Sequence, residues 1–516
     1  MRQPPLRLFL LVFLLLAPLL GRAQIRLPHL FSDHMVLQRD APMHIWGWAA
    51  PGEEVTVAFH NQRAKAISNP IGQWNLYLAP EPAGGPYQLT VSSTNTITVS
   101  DILVGDVWLA SGQSNMEMPL KGIPTATVKD GPATIRSATH PQIRLLRLET
   151  KASAYPVDDI SASWTTCSPQ TVADFSAIAY FFGRNIQSQE NVPVGLIDST
   201  WGGTFIEAWV SLDMLSSDSS LLPVLASYSK MMDAQADVSL AVALEKRADE
   251  AARLANKPLP VHPWHPGPDS FTPAVLYNGM IAPLTPYPIK GVIWYQGESN
   301  SLLPQAGIYG KLFSALVTDW RSKWRQGNFP FLFVQISTFD STPGVDLKTK
   351  DFDWGTLRDA QRRALALANT AMVVSLDVGD PQNIHPPDKE TVGSRLALAA
   401  RAIAYGDAVE YSGPLFRQAV PQGAEMCVSF DHASGLRSHG DSLVGFEVAG
   451  EDRQFFPAVA RVSGDRVVAS SVKVASPVYI RYAWENAPDA NLYNGAGLPA
   501  GTFTSEDQPL VGNVSH

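Results

Sequence analysis

From Asp101 onward the chain repeats one pattern that few folds can satisfy: short, near-continuous apolar runs separated by stretches of helical periodicity. The runs are Val104–Ala110, Val194–Asp198, Gly291–Tyr295, Phe331–Ile336 and Met372–Leu376. A strand with one wetted face alternates apolar and polar residues, so runs this continuous predict strands covered on both faces, as in a parallel sheet. Phe175–Gln187, Tyr309–Trp324, Leu357–Ala368 and Lys389–Tyr405 have amphipathic spacing and predict the covering helices. The expected fold class is therefore α/β, with a doubly wound α/β/α core over residues 101–409.

The flanks read differently. In residues 24–100, Val55, Val57 and Phe59 alternate with polar or small neighbours, as do Trp74, Leu76 and Leu78, and Gly84-Gly85-Pro86 supplies a turn. This predicts an N-terminal β-sandwich domain. Short alternating segments return over residues 410–516, for example Val467–Val474 and Val478–Trp484, and predict a C-terminal β-rich domain. Residues 211–273 interrupt the core with a polar helical piece, Ala234–Ala255, and a Pro- and His-rich loop; the expectation is an insertion that forms either a wall or lid of a site or a surface hairpin.

Residues 1–23 have the make-up of a signal peptide: Arg2 and Arg7, the apolar stretch Leu8–Leu20, then Gly21-Arg22-Ala23 with small residues where a signal peptidase reads. The apolar stretch, interrupted by Pro18, is too short to span a bilayer, so no stable membrane anchor is expected. The predicted location is exported, periplasmic or extracellular. A net charge of -9 without any run of Lys or Arg argues against nucleic acid as a partner. Cys167 and Cys427 stand far apart and in no metal-ligand spacing, which leaves a single disulfide or two free thiols open. The sequence does not set the oligomeric state.

The segment from Asp106 to Glu117 reads as a strand ending near Ala110, a turn Ser111-Gly112-Gln113, and then Ser114. Ligands of doubly wound sheets bind beyond the carboxyl ends of strands, which is where this places Ser114. A hydroxyl needs a base to attack at neutral pH, and His is the side chain best suited. Of eleven His residues, His385 is the best placed, in the loop after the run Met372–Leu376 and just before a helix.

Gly112-Gln-Ser-Asn-Met116, Trp294-Tyr-Gln-Gly-Glu-Ser-Asn300 and Ile384-His-Pro386 resemble the blocks of the sialate O-acetylesterase family, within the SGNH-hydrolase superfamily. Leu30-Phe-Ser-Asp-His-Met-Val-Leu-Gln-Arg39, Asp198-Ser-Thr-Trp-Gly-Gly-Thr204, Arg481-Tyr-Ala-Trp484, Asn491-Leu-Tyr-Asn494 and Gly497-Leu-Pro499 fit the same family, so the likeness spans nearly the whole chain after residue 23. The resemblance implies a serine esterase that removes acetyl groups from sialic acid or a related sugar, with an O-acetylated carbohydrate as its partner and neither metal nor organic cofactor. An acetylxylan or other polysaccharide acetylesterase is the alternative substrate reading. By the same resemblance Ser114 is the nucleophile and His385 the general base, with Gln113, Gly203, Gln296 and Asn300 around the oxyanion.

One position departs from the family pattern. Members resemble Asp-Ile-His-Pro before the catalytic His, whereas Asn383-Ile-His385-Pro stands here. The orienting group is then Asp380, Glu298, the Asn383 side chain or a backbone carbonyl. If none serves, the chain is a lapsed esterase that binds carbohydrate through its β domains. Taken singly, Ser114 reads as a helix N-cap and Glu298 as a capping or salt-bridge residue; only their convergence at strand ends makes a site. His262 and His265 suggest a metal, but no nearby set completes the ligands, so a lid or surface role is expected.

Overall fold

The computed structural model describes residues 24–506 apart from 261, 263–264, 266, 303–304, 343–344 and 347–351; residues 1–23, the expected signal peptide, lie outside the described residues.

The strand Thr96–Gly112 organises the molecule. Its first part pairs antiparallel with Gly84–Ser92 and, further along, runs parallel to Val36–Gln38. Its second part lies between Val194–Thr200 and Gly291–Tyr295, parallel to both. No break falls at 100/101, where the sequence pattern changes, so the N-terminal β layer and the core share one continuous strand of an 11-stranded sheet.

Across the core the strand order is Thr370–Val374, Phe331–Gln335, Gly291–Tyr295, Thr96–Gly112, Val194–Thr200, His140–Arg147 and Thr165–Cys167, all parallel except the last. Every residue of Val194–Thr200, Gly291–Tyr295 and Phe331–Gln335 is buried, as continuous apolar runs require. Ala177–Glu190 packs on Lys389–Ala400, and Gln305–Trp324 packs on Trp354–Arg363, giving two helix pairs to cover the sheet. The chain first builds to one side of Thr96–Gly112 and then, from Gly291, to the other. Strand order therefore reverses at Thr96–Gly112, and the crevice of such a sheet opens at the carboxyl ends beside that switch point.

His140–Arg147 is a core strand that hydrophobic runs do not announce, because Arg144 interrupts it. Arg144 is buried, and its guanidinium is held by Asp101 at 2.6 Å, so the charge is compensated inside the fold.

Two sheets make the N-terminal layer: Met43–Trp48 with Gln73–Leu78, facing the sheet of Glu54–Phe59, Gln62–Ile67 and Gly84–Ser92. Toward the C-terminus, Leu415–Gln422, Glu425–Asp431, Arg466–Ser470 and Val459–Ser463 form one sheet and Phe446–Ala449, Tyr479–Tyr482 and Phe503–Thr504 belong to another. The chain then returns to the core, where the Gln335 side chain exchanges hydrogen bonds with the Thr502 backbone at 2.9 and 3.2 Å. The insertion contains Leu212–Ser217, Pro223–Asp233 and Gln235–Leu254, and leans on the Gln305–Trp324 helix, with Gln305 Nε2 donating to Ser227 Oγ. Cys167 and Cys427 are both buried and free.

Candidate active site

Four loops leave the carboxyl ends of the core strands together. The first follows Gly112, whose φ of +133° suits glycine, and a Cβ there would stand 2.1 Å from the Tyr295 carbonyl oxygen. The close strand approach delivers Gln113 and then Ser114, the first residue of the short helix Ser114–Glu117. Gln113 is the N-cap and makes no side-chain cap, so Ser114 is not spent on capping. Its Oγ lies 2.8 Å from His385 Nε2. The nucleophile and base expected from the sequence are thus within direct hydrogen-bond reach, across 271 residues of chain.

For Ser114 Oγ to donate to Nε2, the neutral imidazole must hold its proton on Nδ1. Burial, followed by the positive charge of Lys389, pushes the His385 pKa down to about 4. The ring is consequently an unprotonated base across the neutral range. Neither carboxylate expected to orient it does so. Asp380 Oδ1 accepts from the Gln382 N–H at 2.9 Å, closing a local turn, and Glu298 Oε1 accepts from Asn115 Nδ2 at 2.6 Å. Asn383 Oδ1 accepts from the His385 backbone N–H at 2.9 Å, so its amide fixes the loop rather than the ring. Among the described residues no carboxylate is hydrogen-bonded to His385.

Asn115, next to the nucleophile, is the hub beneath this pair. Its Nδ2 donates to Glu298 Oε1 and, at 2.9 Å, to the carbonyl of Ile384, while its Oδ1 accepts from Lys389 Nζ at 2.6 Å. The amide therefore bridges an acid, a base and the backbone that carries His385. Burial drives the Lys389 pKa down to about 7 against the opposing pull of Glu298, and raises that of Glu298. The pattern reading did not include Asn115 or Lys389. Asn115 stood inside the Gly112–Met116 block, and Lys389 entered only as the first residue of an amphipathic segment.

The second and third loops supply the opposite wall. Gly202 packs so closely on Ser114 that a Cβ would lie 3.2 Å from Ser114 Cβ, and its N–H donates to Glu117 Oε2 at 2.6 Å. Gly203 follows with φ +72°. The backbone N–H groups of Ser114 and Gly203 have no acceptor among the described residues. The expected side chains around the oxyanion are otherwise engaged: Gln113 Oε1 accepts from the N–H groups of Gly297 and Ser299 at 3.2 and 3.3 Å. Gln296 Nε2 donates to Asn300 Oδ1 at 2.7 Å, which also takes the Ile206 N–H at 2.9 Å, and Asn300 Nδ2 donates to Glu207 at 2.9 Å. These groups hold the loops against one another.

Burial raises the pKa of Glu117, and lifts that of the fully buried Asp198 to about 6, with Arg147 offsetting both. His262 and His265, weighed as metal ligands, each meet a carboxylate of the inserted helix, Asp249 at 2.8 Å and Glu245 at 2.9 Å. Among the described residues no cluster of His, Cys, Asp and Glu has the make-up of a metal site. No helix of the described residues is long and apolar enough to cross a membrane.

Residues 104–240 and 260–402 match the model of the family described as carbohydrate esterase, sialic acid-specific acetylesterase, and the gap falls in the inserted helix and the loop after it. The chain is similar to sialate O-acetylesterase of Pongo abelii, 31% identical over 94% of this chain and 94% of that one. Sialate O-acetylesterase of Mus musculus is 28% identical over the same shares. Among solved structures, a carbohydrate acetylesterase from Xanthomonas citri superposes with a TM-score of 0.79 at 36% identity, covering 94% of this chain and 100% of that one.

Proposed function

The chain belongs to the carbohydrate esterase family of sialic acid-specific acetylesterases and is an esterase hydrolase; from that premise we propose that it removes O-acetyl groups from sialic acid or a related sugar through an acetyl-Ser114 intermediate. The observation that carries the reading is the 2.8 Å contact between Ser114 Oγ and His385 Nε2. Ser114 Oγ attacks the acetyl carbonyl as its proton passes to His385 Nε2. The oxyanion of the tetrahedral intermediate takes the free N–H groups of Ser114 and Gly203, a single donor of this kind contributing about 3 kcal/mol. The ester C–O bond breaks and His385 returns the proton to the departing sugar oxygen. Water repeats the sequence on the acetyl group, releasing acetate and restoring Ser114.

The core is of the SGNH type in this reading, with Ser114, the Gly202-Gly203 turn, the Asn300 loop and His385 in the places of its four blocks. The chain is exported, to the periplasm or the medium, on the strength of residues 1–23. A second substrate reading is an acetylated polysaccharide such as xylan, since the Xanthomonas citri protein of 36% identity is a carbohydrate acetylesterase with no particular sugar named.

The test is hydrolysis of p-nitrophenyl acetate by the purified chain and its Ser114→Ala variant, followed by acetate release from O-acetylated sialic acid and from acetylated xylan. The expected result is turnover lost in the alanine variant and a higher kcat/KM on the sialic acid. Turnover that survives Ser114→Ala would sink the mechanism, and a preference for xylan would transfer the substrate assignment.

A further inference from the structure

On the N-terminal layer, the ribbon of Met43–Trp48 and Gln73–Leu78 turns one face to the core and the other outward. Register pairs His44 with Tyr77, Trp46 with Asn75 and Trp48 with Gln73, so the outward face combines aromatic rings with two exposed amides. Tyr77 is 59% exposed, an unusual position for a large ring, and stacks on His44 at 4.5 Å between centroids. His44 stacks in turn on Trp46 at 4.8 Å. The row from His44 to Trp48 extends roughly 13 Å at the rise of a strand, longer than a single sugar ring.

This face lines a cavity of about 340 Å³, closed on its other side by Asp158 and Arg325 from the core loops. Arg325 precedes the strand Phe331–Gln335, so the cavity lies toward the amino end of the core sheet, away from the carboxyl ends that hold Ser114. One buried polar atom on this face has no partner: His44 Nδ1, in a residue 7% exposed. A buried polar group left unsatisfied costs on the order of 1–3 kcal/mol, which a ligand hydroxyl would offset.

We infer that this cavity is a non-catalytic binding site for a neutral oligosaccharide, a sugar ring lying on the face of Tyr77 turned away from His44 with hydroxyls on Gln73, Asn75, Asp158 and Arg325. A pyranose offers an apolar C–H face and a rim of hydroxyls, and the site offers flat apolar rings bordered by amides and charges. Apolar ligands would leave that polar border unpaired. The site stands on the N-terminal ribbon and does not depend on which ester Ser114 cleaves.

The experiment titrates the full chain carrying Ser114→Ala with non-acetylated xylohexaose and cellohexaose, read by tryptophan fluorescence and calorimetry. Saturable one-site binding of either hexasaccharide, weakened roughly 10-fold or more by Tyr77→Ala, is the expected result. Hydrolysis of p-nitrophenyl acetate by Tyr77→Ala with Ser114 intact is expected to stay unchanged. Should circular dichroism show that variant misfolded, Gln73→Ala with Asn75→Ala, both exposed positions, serves in its place with the same expectation. Absence of saturable binding by both sugars, or binding that the folded variant leaves intact, overturns the assignment.

Discussion

Lys389 Nζ donates to Asn115 Oδ1 across 2.6 Å, joining the helix that follows the base to the residue that follows the nucleophile. The same Asn115 amide holds the Ile384 carbonyl, one residue before His385. Ser114 and His385 are thus positioned by one buried amide between Glu298 and Lys389. This explains how the imidazole keeps its place without a carboxylate on its ring. Its cost is also visible: Lys389 places a positive charge beside the group that must become imidazolium.

That charge predicts a pH shift. His385 is held near pKa 4 by burial first and by Lys389 second. In Lys389→Met only burial remains, protonation of His385 becomes easier, and its pKa rises. The acid limb of kcat/KM should move to higher pH, measured with p-nitrophenyl acetate between pH 4 and 9. A limb that stays in place would mean that it does not report His385.

Asn383→Asp should bring little gain. In a serine-protease triad the reverse change, Asp to Asn, lowers kcat about 10,000-fold because the acid holds the ring. Here the Asn383 oxygen is committed to the His385 backbone N–H, a bond an Asp oxygen makes equally well. We expect kcat to stay within about 10-fold of the parent. A rise of several hundred-fold would show that the side chain swings to Nδ1 when charged.

Much of this site was legible because its parts sit at ends of strong patterns. The runs around Ala110 and Met372 fixed where two strands stop, and a Ser and a His stand just past them. The core strand His140–Arg147 escaped notice because Arg144 breaks its apolar run, and the carboxylate that compensates its charge, Asp101, stands 43 residues away in sequence. Lys389 escaped for a similar reason. Lysine is rarely buried, and its hydrogen-bond partner Asn115 and the nearby charge of Glu298 belong to other loops, beyond the reach of local periodicity. The orienting role expected of Asp380 failed on geometry, since its side chain closes a turn with Gln382 two residues on.

Glu117 is a positioning residue whose loss should lower kcat rather than raise KM. Its carboxylate takes the Gly202 N–H at 2.6 Å and so presses the Gly202-Gly203 turn against Ser114. Glu117→Ala releases that turn and with it the Gly203 donor. Losing an oxyanion donor outright costs about 100- to 1,000-fold in kcat, so a displaced one should cost roughly 10- to 100-fold. Glu117→Gln keeps an acceptor oxygen and should recover most of the rate. Equal losses in both variants would assign the role to charge instead.

Gly112→Ala tests whether the close approach of strands at the switch point is required. The new Cβ would meet the Tyr295 carbonyl oxygen at 2.1 Å and its carbon at 2.7 Å, both backbone atoms, in a residue with φ +133°. Backbone strain and overpacking each cost about 1–3 kcal/mol, so the substitution should destabilise the chain by roughly 3 kcal/mol or more. Gly423→Ala is the control: φ is +63°, but nothing lies within 4 Å of its Cβ, and a cost near 1 kcal/mol is expected from the backbone alone. Thermal unfolding followed by circular dichroism should show a large fall for the first and a small one for the second. Equal falls would mean that the sheet relaxes around residue 112, and that Gly112 serves the positive φ of the nucleophile turn rather than the contact between strands.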